Sequence, residues 1–330
     1  MADTRAGDQL TARAVLRGAR RGTGFGYLRR DEDGASMTRT QLVLRQVGEL
    51  AADLGTGAGL SPLSRLHLAR WLFAYHLGMA VRFPLGERVR SFPLRARGGA
   101  RLRCHLRWHA SDLHVLREVF AQQAYALPAR AVPAEVRTVV DLGSNIGLSS
   151  LYFSMQFPEA RVVCVEPVAD SVEILRLNAE RNGLDWRIEE AAIAAREGTA
   201  TLYPNGWWAS SSTTPAVAKA REALAHRPEH ALRLEHRQVR TLPVSVLLDR
   251  HGLRSVDVMK IDVEGAEEEI FLNGDVAWLD RVGVLLLDLH AKYVPADAVV
   301  GVLREHGFHR FAERGAHSSV FVRAQHRESP

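Results

Sequence analysis

Val139-Val140-Asp141-Leu142-Gly143-Ser144-Asn145-Ile146-Gly147 joins a short apolar run to a glycine-bounded turn, and Leu148 then opens a helical segment. The pattern predicts a buried strand, a tight turn and a helix. Gly143 and Gly147 let the backbone turn sharply and approach a ligand with no side chain between. On open α/β sheets, ligands collect beyond the carboxyl ends of the strands, where this turn falls. The spacing departs from the dinucleotide fingerprint Gly-x-Gly-x-x-Gly, and the acid Asp141 precedes the turn. A bulky diphosphate is disfavoured, and an NAD-dependent dehydrogenase with it. A cofactor bearing a positive sulfonium and an amino-acid tail suits this turn better.

The next apolar run, Arg161–Val165, ends in Glu166-Pro167. An acid at the end of the second strand can accept hydrogen bonds from both ribose hydroxyls. Further strands are expected at Ile188–Ile193, Ala200–Tyr203, Val256–Ile261, Val282–Leu287, Phe308–Ala312 and Ser319–Arg323. Helices are expected at Ser171–Asn182, Ala216–Ala225, Val244–His251, Glu267–Phe271 and Ala296–His306, the last stopped by Gly307. Such alternation calls for a mostly parallel sheet covered on both faces, with room for an antiparallel edge. In Glu190-Ala191-Ala192-Ile193, small residues such as Ala192 are placed to pack beside an adenine.

Two strand ends carry unusual polarity. Lys260, Asp262 and Glu264 alternate to one side if the strand stays extended, either as an ion network or at a polar site. One strand later, Asp288 and His290 alternate in the same way. His290 is the first candidate to accept a substrate proton, since an unperturbed imidazole titrates at about 6.5, with Asp288 orienting the ring. Asp262 is the second candidate. Asp262 and Asp288 are also the residue types that bind Mg2+, but no metal is predicted. Trp207, Trp208, Ser211 and Ser212 lie in a loop of small hydroxyl and aromatic residues suited to an organic substrate.

The front of the chain reads differently. Its first 35 or so residues look weakly ordered, and six arginines from Arg13 to Arg30 have no acid between them. Against a formal charge of only +5, this reads as a solvated arm, with no nucleic-acid partner expected. Helices are expected at Thr38–Leu54 and Ser64–Leu77. The second is nearly apolar and reads as a cap or an interface, which leaves a homodimer through these helices open. Arg101–Trp108 alternates as a half-buried strand, and Ser111 is placed to cap a helix that carries Asp112 in its first turn. Two cysteines, Cys104 and Cys164, make no disulfide framework and fit a reducing cytoplasm. No run is long enough to span a membrane.

Taken in order, several pieces resemble the FkbM-type family of class I S-adenosylmethionine-dependent methyltransferases. They are Ser111-Asp112 with Val119-Phe120 and Tyr125, Val140–Gly147, Val165-Glu166-Pro167, Ala192 through Gly198, Ser211-Ser212 and Lys260–Glu267. The resemblance covers about Trp108 to Arg323 and implies an α/β fold. That fold is a Rossmann-like seven-stranded, mostly parallel sheet between helices. It divides the chain into a mainly helical N-terminal extension, 1–110, and a methyltransferase domain, 111–330. It implies S-adenosyl-L-methionine as cofactor, its methionine end held by Asp141, Gly143, Ser144, Asn145 and Gly147. Glu166 with Pro167 would hold the ribose, and Ala192 and Asp262 would complete the cofactor set. Lys260, Asp262, Asp288 and His290 are the catalytic candidates. Trp207, Trp208, Ser211, Ser212, Glu264 and His290 would face a small-molecule hydroxyl acceptor. O-methylation of a natural product or sugar leads. N- or carboxyl-methylation of a small molecule or peptide, and a non-catalytic cofactor-binding scaffold, are the alternatives. Asp288 stands where the family more often has Glu.

Overall fold

The computed structural model describes residues 39–54, 60–81, 89–95, 101–108, 110–203, 212–214, 236–314 and 318–324. Trp207, Trp208, Ser211, the expected helix Ala216–Ala225 and the basic N-terminal arm lie outside these residues. Two helices, α1 (Arg39–Leu54) and α2 (Pro62–Val81), precede an antiparallel hairpin of β1 (Val89–Arg95) and β2 (Arg101–Arg107). Helix α3 (Ala110–Leu116) continues into a π-helical turn, Arg117–Ala121.

The main sheet follows. It contains β3 (Thr138–Leu142), β4 (Arg161–Val165), β5 (Arg187–Glu189), β9 (Val256–Ile261), β10 (Val282–Asp288), β11 (Phe308–Arg314) and β12 (Ser318–Arg323). Their spatial order is β11-β12-β10-β9-β3-β4-β5. Pairing is parallel from β5 to β10, and β12 is antiparallel to both β10 and β11. From β3 the chain first builds outward through β4 and β5, then returns to lay β9 on the other flank of β3. The β3–β9 boundary is therefore the topological switch point, where strand ends open a crevice.

The central strands read as continuous apolar runs because both their faces are covered. Val139, Val258 and Val284 join one core with Leu151 and Phe153 of α4 (Leu148–Gln156) and Ile174 and Leu175 of α5 (Ala169–Arg181). Val140, Met259 and Leu285 join the other, with Leu247 of α6 (Val244–Arg250) and Val299 and Leu303 of α8 (Ala296–Glu305). Helix α7 (Glu267–Phe271) follows β9. Leu68 and Leu72 of α2 and Phe92 of the hairpin belong to the first core, so the front elements share the sheet's hydrophobic interior. The remaining face of α1 and α2 is uncovered: Val43, Leu44, Val47, Leu63, Leu66, Phe73 and Leu77 are the exposed large hydrophobics among the described residues. Among these residues, no helix is long and apolar enough to cross a membrane.

Two expectations need correction. Ile188–Ile193 is not one strand: β5 ends at Glu189 in the main sheet. Ala192–Ile193 (β6) then pairs with β8 (Arg237–Leu242) in a separate three-stranded sheet with β7 (Gly198–Leu202). Ser111 lies inside α3 rather than capping it. Asp112 sits in the first turn as expected, and it also binds Arg107, receiving its backbone N–H at 2.8 Å, Nε at 2.9 Å and Nη2 at 3.0 Å.

One polar pair interrupts the apolar centre. Asp141 and Lys260 are register partners on β3 and β9, and Lys260 Nζ lies 3.1 Å from Asp141 Oδ1. Their side chains are 0% and 2% exposed. Removing one partner of such a pair strands the other charge in a medium that cannot solvate it. Lys260→Met is expected to lower unfolding free energy by about 3–5 kcal/mol in urea titration. A loss below about 1 kcal/mol would mean that the pair contributes no more than a surface contact.

The turn after β3 is equally constrained. Gly143 has φ +77°, and a Cβ there would stand 1.8 Å from the Asp262 carbonyl oxygen. Gly143→Ala must therefore push the β3 and β9 loops apart as well as adopt a disfavoured φ. A loss of about 3 kcal/mol or more is expected in the same titration, and a parent-like midpoint would contradict the close approach.

Candidate active site

The turn beyond β3 is fastened from both sides. Toward β4, the Gly143 and Ser144 N–H groups donate to Val165 O at 3.0 Å each, and Ser144 Oγ accepts from Val165 N at 2.9 Å. Toward β9, Lys260 Nζ donates to Gly143 O at 2.8 Å, and Asp262 N donates to Leu142 O at 3.1 Å. Glu166 closes the arrangement: its Oε2 accepts from Asn145 N at 2.9 Å and its Oε1 from Val168 N at 2.8 Å. The two places that sequence spacing assigns to one ligand are thus in direct contact. Burial raises the Glu166 carboxyl to about 7, against the two backbone donors that favour its charge. Pro167 follows directly. Ala192 is buried in β6.

Asp141 itself is enclosed. Its Oδ2 accepts from Ser149 Oγ and Ser150 Oγ, each at 2.6 Å, while Oδ1 faces Lys260. It shapes the turn from beneath, with no exposed surface of its own. Gly147 also has a packing reason, since a Cβ would stand 2.6 Å from Leu175 Cδ1. Asn145, at φ +49°, carries a buried Oδ1 with no donor among the described residues. The turn therefore carries one buried acceptor still to be met, together with the Glu166 carboxylate. Acceptors of this kind suit a ligand bringing an ammonium group and ribose hydroxyls better than a diphosphate. Gly143, Ser144, Asn145 and Glu166 are residues that could hold such a cofactor.

Across the crevice, Lys260 is a fixed cation. Burial disfavours its charge, but the Asp141 and Asp262 carboxylates outweigh that cost and hold its pKa above the ordinary value. It retains its proton, which removes it as a base. Asp262 is less enclosed, with 23% side-chain exposure, and its Oδ2 accepts from Tyr125 Oη at 2.9 Å and lies 3.7 Å from Lys260 Nζ. Tyr125 is kept protonated by burial and by the neighbouring Asp262 charge. The π-helical turn and Gln123, at φ +55°, bend the chain so that Tyr125 reaches this strand end.

His290 corrects the proton-acceptor expectation. Nδ1 lies 2.7 Å from Glu267 Oε1 and Nε2 lies 3.2 Å from Glu264 Oε2. Burial works against a charged ring, but these two carboxylates outweigh it and raise the pKa to about 11. Both nitrogens then carry protons near neutrality, so this imidazolium has no free lone pair with which to accept one. Asp288 is not its orienting partner either, because both ring nitrogens are taken by glutamates. Asp288 Oδ2 accepts from Ser318 Oγ at 3.1 Å, and its Oδ1 is buried with no donor among the described residues. Burial and the nearby Asp262 charge push the Asp288 carboxyl up to about 7.

Of the expected substrate-facing residues, Ser212 is described, and it is buried. It bridges to Tyr203 through backbone hydrogen bonds, and Thr214 Oγ1 donates to Gly265 O at 3.2 Å, which brings this stretch beside the loop after β9. Tyr125 and Glu267 are site residues that residue-by-residue reading passed over. Tyr125 entered only through the family resemblance. Glu267 sits three positions after Glu264 in an acidic run, a signal that both might turn to one side.

The chain is similar to several known proteins. The chain is 26% identical over 218 residues to the 31-O-demethyl-FK506 methyltransferase FkbM of Streptomyces tacrolimicus, covering 60% of this chain and 82% of that protein. It is 29% identical over 228 residues to the AMB antimetabolite synthetase AmbE of Pseudomonas aeruginosa, covering 59% of this chain but only 10% of the synthetase. The solved methyltransferase FkbM of Methylobacillus flagellatus aligns at 10% identity with a TM-score of 0.38, covering 88% of this chain and 63% of that one. The profile of the methyltransferase FkbM domain matches residues 141–310, from the Asp141 turn through β9 and β10 into β11. That is more than half the chain, and the protein belongs to the FkbM family of methyltransferases.

Proposed function

We propose that the protein transfers a methyl group from S-adenosyl-L-methionine to a hydroxyl of a small-molecule natural product or sugar. The observation that carries this reading is the contact between Glu166 and the Asn145 backbone, which joins both halves of a nucleoside-binding rim beside the Asp262 and Asp288 carboxylates. Membership of the FkbM family supports the cofactor. Two relatives support oxygen as the nucleophile: the 31-O-demethyl-FK506 methyltransferase, and the 2-O-methyltransferase NoeI of Sinorhizobium fredii, 27% identical over 139 residues.

When bound, the cofactor supplies an electrophilic methyl carbon whose bonding pair to sulfur stays on sulfur as the new C–O bond forms. The remaining tasks belong to the chain. Glu166 accepts the ribose hydroxyls, and the Gly143–Asn145 turn receives the amino-acid end. Lys260 fixes the turn and balances the Asp262 charge. Asp288 takes the acceptor's proton through Oδ1, the strand-end carboxylate oxygen without a donor among the described residues. Ser212 and Thr214 form part of the acceptor side.

Methylation of an alcohol in a panel of sugars and polyketide alcohols, detected by mass spectrometry, tests the reaction. Transfer confined to RNA or to amines would overturn the hydroxyl assignment. Asp288→Asn is expected to lower kcat by about 10²–10⁴-fold while leaving S-adenosylhomocysteine affinity within about twofold in calorimetry. A kcat close to that of the parent would remove Asp288 from proton transfer.

The Glu166 carboxyl gives a pH dependence. Its folded-state pKa of about 7 lies above the ordinary value, so the free protein resists its ionisation and stability declines as pH rises through that window. Ribose hydroxyls call for the ionised form. Affinity for S-adenosylhomocysteine should therefore weaken as pH falls below 7, approaching about tenfold per pH unit. Glu166→Gln should bind more weakly and lose this slope, whereas an unchanged pH profile would exclude Glu166 as the ribose acceptor.

A further inference from the structure

No metal is expected from the sequence, yet folding brings Asp262, Glu264 and His290 together. Each offers a ligand atom, and these atoms all lie within 4.8 Å of one another at the ends of β9 and β10. We propose that these three side chains bind one divalent first-row transition-metal ion at the rim of the crevice.

A cluster of acids alone would not carry this. The imidazole does, because of how it is held. Glu267 is 0% exposed and fixes His290 Nδ1 at 2.7 Å, which aims Nε2 at the Glu264 and Asp262 carboxylates. A buried carboxylate on one nitrogen, with the other directed into a group of oxygen donors, is the outer-shell arrangement that orients a metal-binding histidine. Glu267 Oε2 is itself buried with no donor among the described residues, and so is Oδ1 of Asp288, whose carboxylate is a neighbour of Asp262 and His290. The site therefore has a surplus of negative charge and unmatched acceptors that protein donors do not meet. A cation meets it.

The three ligands also leave a way in. Their side chains are 23%, 20% and 19% exposed for Asp262, Glu264 and His290. Three protein ligands with an open side form a catalytic rather than a closed structural site. Two carboxylates with one imidazole make a mixed oxygen and nitrogen set, which suits Mn2+, Fe2+ or Zn2+ better than an all-oxygen ion such as Ca2+. The cation takes the place of the Nε2 proton that now bridges His290 and Glu264. If the methyl-transfer reading holds, an acceptor hydroxyl at the open position would lose its proton to Asp288 more readily. Metal binding itself does not depend on that reading.

The test uses the full-length protein and Mn2+ alone, followed by electron paramagnetic resonance. One Mn2+ per chain is expected, bound below about 1 mM, with pulsed spectra showing coupling to an imidazole nitrogen. His290→Gln should abolish that nitrogen signature. Asp262→Asn and Glu267→Gln should each weaken binding by about 10–100-fold. Glu166→Gln should leave Mn2+ binding intact while weakening S-adenosylhomocysteine, so failure of the metal site and failure of the cofactor site are distinguishable. Absence of binding, bound Mn2+ without nitrogen coupling, or equal affinity in the His290 and Asp262 variants would overturn the proposal. Should the variants not fold, the spectrum of the parent protein decides alone.

Discussion

Lys260 stands at the middle of the sheet with its ammonium shared among Asp141, the Gly143 carbonyl and, at a longer distance, Asp262. A charged group so placed is tolerable only when its partners surround it, because the apolar strands on both sides cannot solvate it. This one constraint sets the geometry around it. It fixes the register of β3 against β9, draws the turn after β3 toward β9, and sets the distance between the two lips of the crevice. Glu166 then latches the far side of the same turn. What looks like a ligand-binding loop is a loop with almost no freedom left, and such preorganisation lowers the ordering cost of binding.

The polar groups around this centre divide into two sets with different environments. Asp141, Lys260 and Glu267 are enclosed, whereas Asp262, Glu264 and His290 are partly open; among the described residues, Glu267 and Asp288 each keep one buried oxygen without a donor. The enclosed set holds the strand ends; the open set can meet a ligand. Spacing along a strand cannot separate these roles, because alternate residues point to the same side whether they are covered or not.

This explains how far the sequence could be read. The strands around the switch point were legible because Val139, Val140, Val258 and Met259 must be apolar on both faces. The polar residues that break the run then marked the site. Strand β8 was missed because Arg237-Gln238-Val239-Arg240-Thr241-Leu242 is mostly polar and belongs to a small, half-exposed sheet. The break between β5 and β6 was hidden within one apolar stretch, where only pairing tells which sheet each part joins. His290 lies just beyond the end of β10, but its protonation depends on Glu264 and Glu267. Glu264 adopts φ +56°, which ends the extended strand and carries the following helix back toward β10. Period-two reasoning ends where that turn begins.

Tyr125 and Asp262 are separated by 137 positions, yet one hydrogen bond joins them at the heart of the crevice. During synthesis the phenol emerges long before the carboxylate that it serves. The front third of the protein therefore cannot complete this bond until β9 exists. A contact of such sequence separation raises the contact order, which slows folding. The strand end that handles chemistry is finished by a residue made well before it, and a half-made chain has no crevice of this shape to offer.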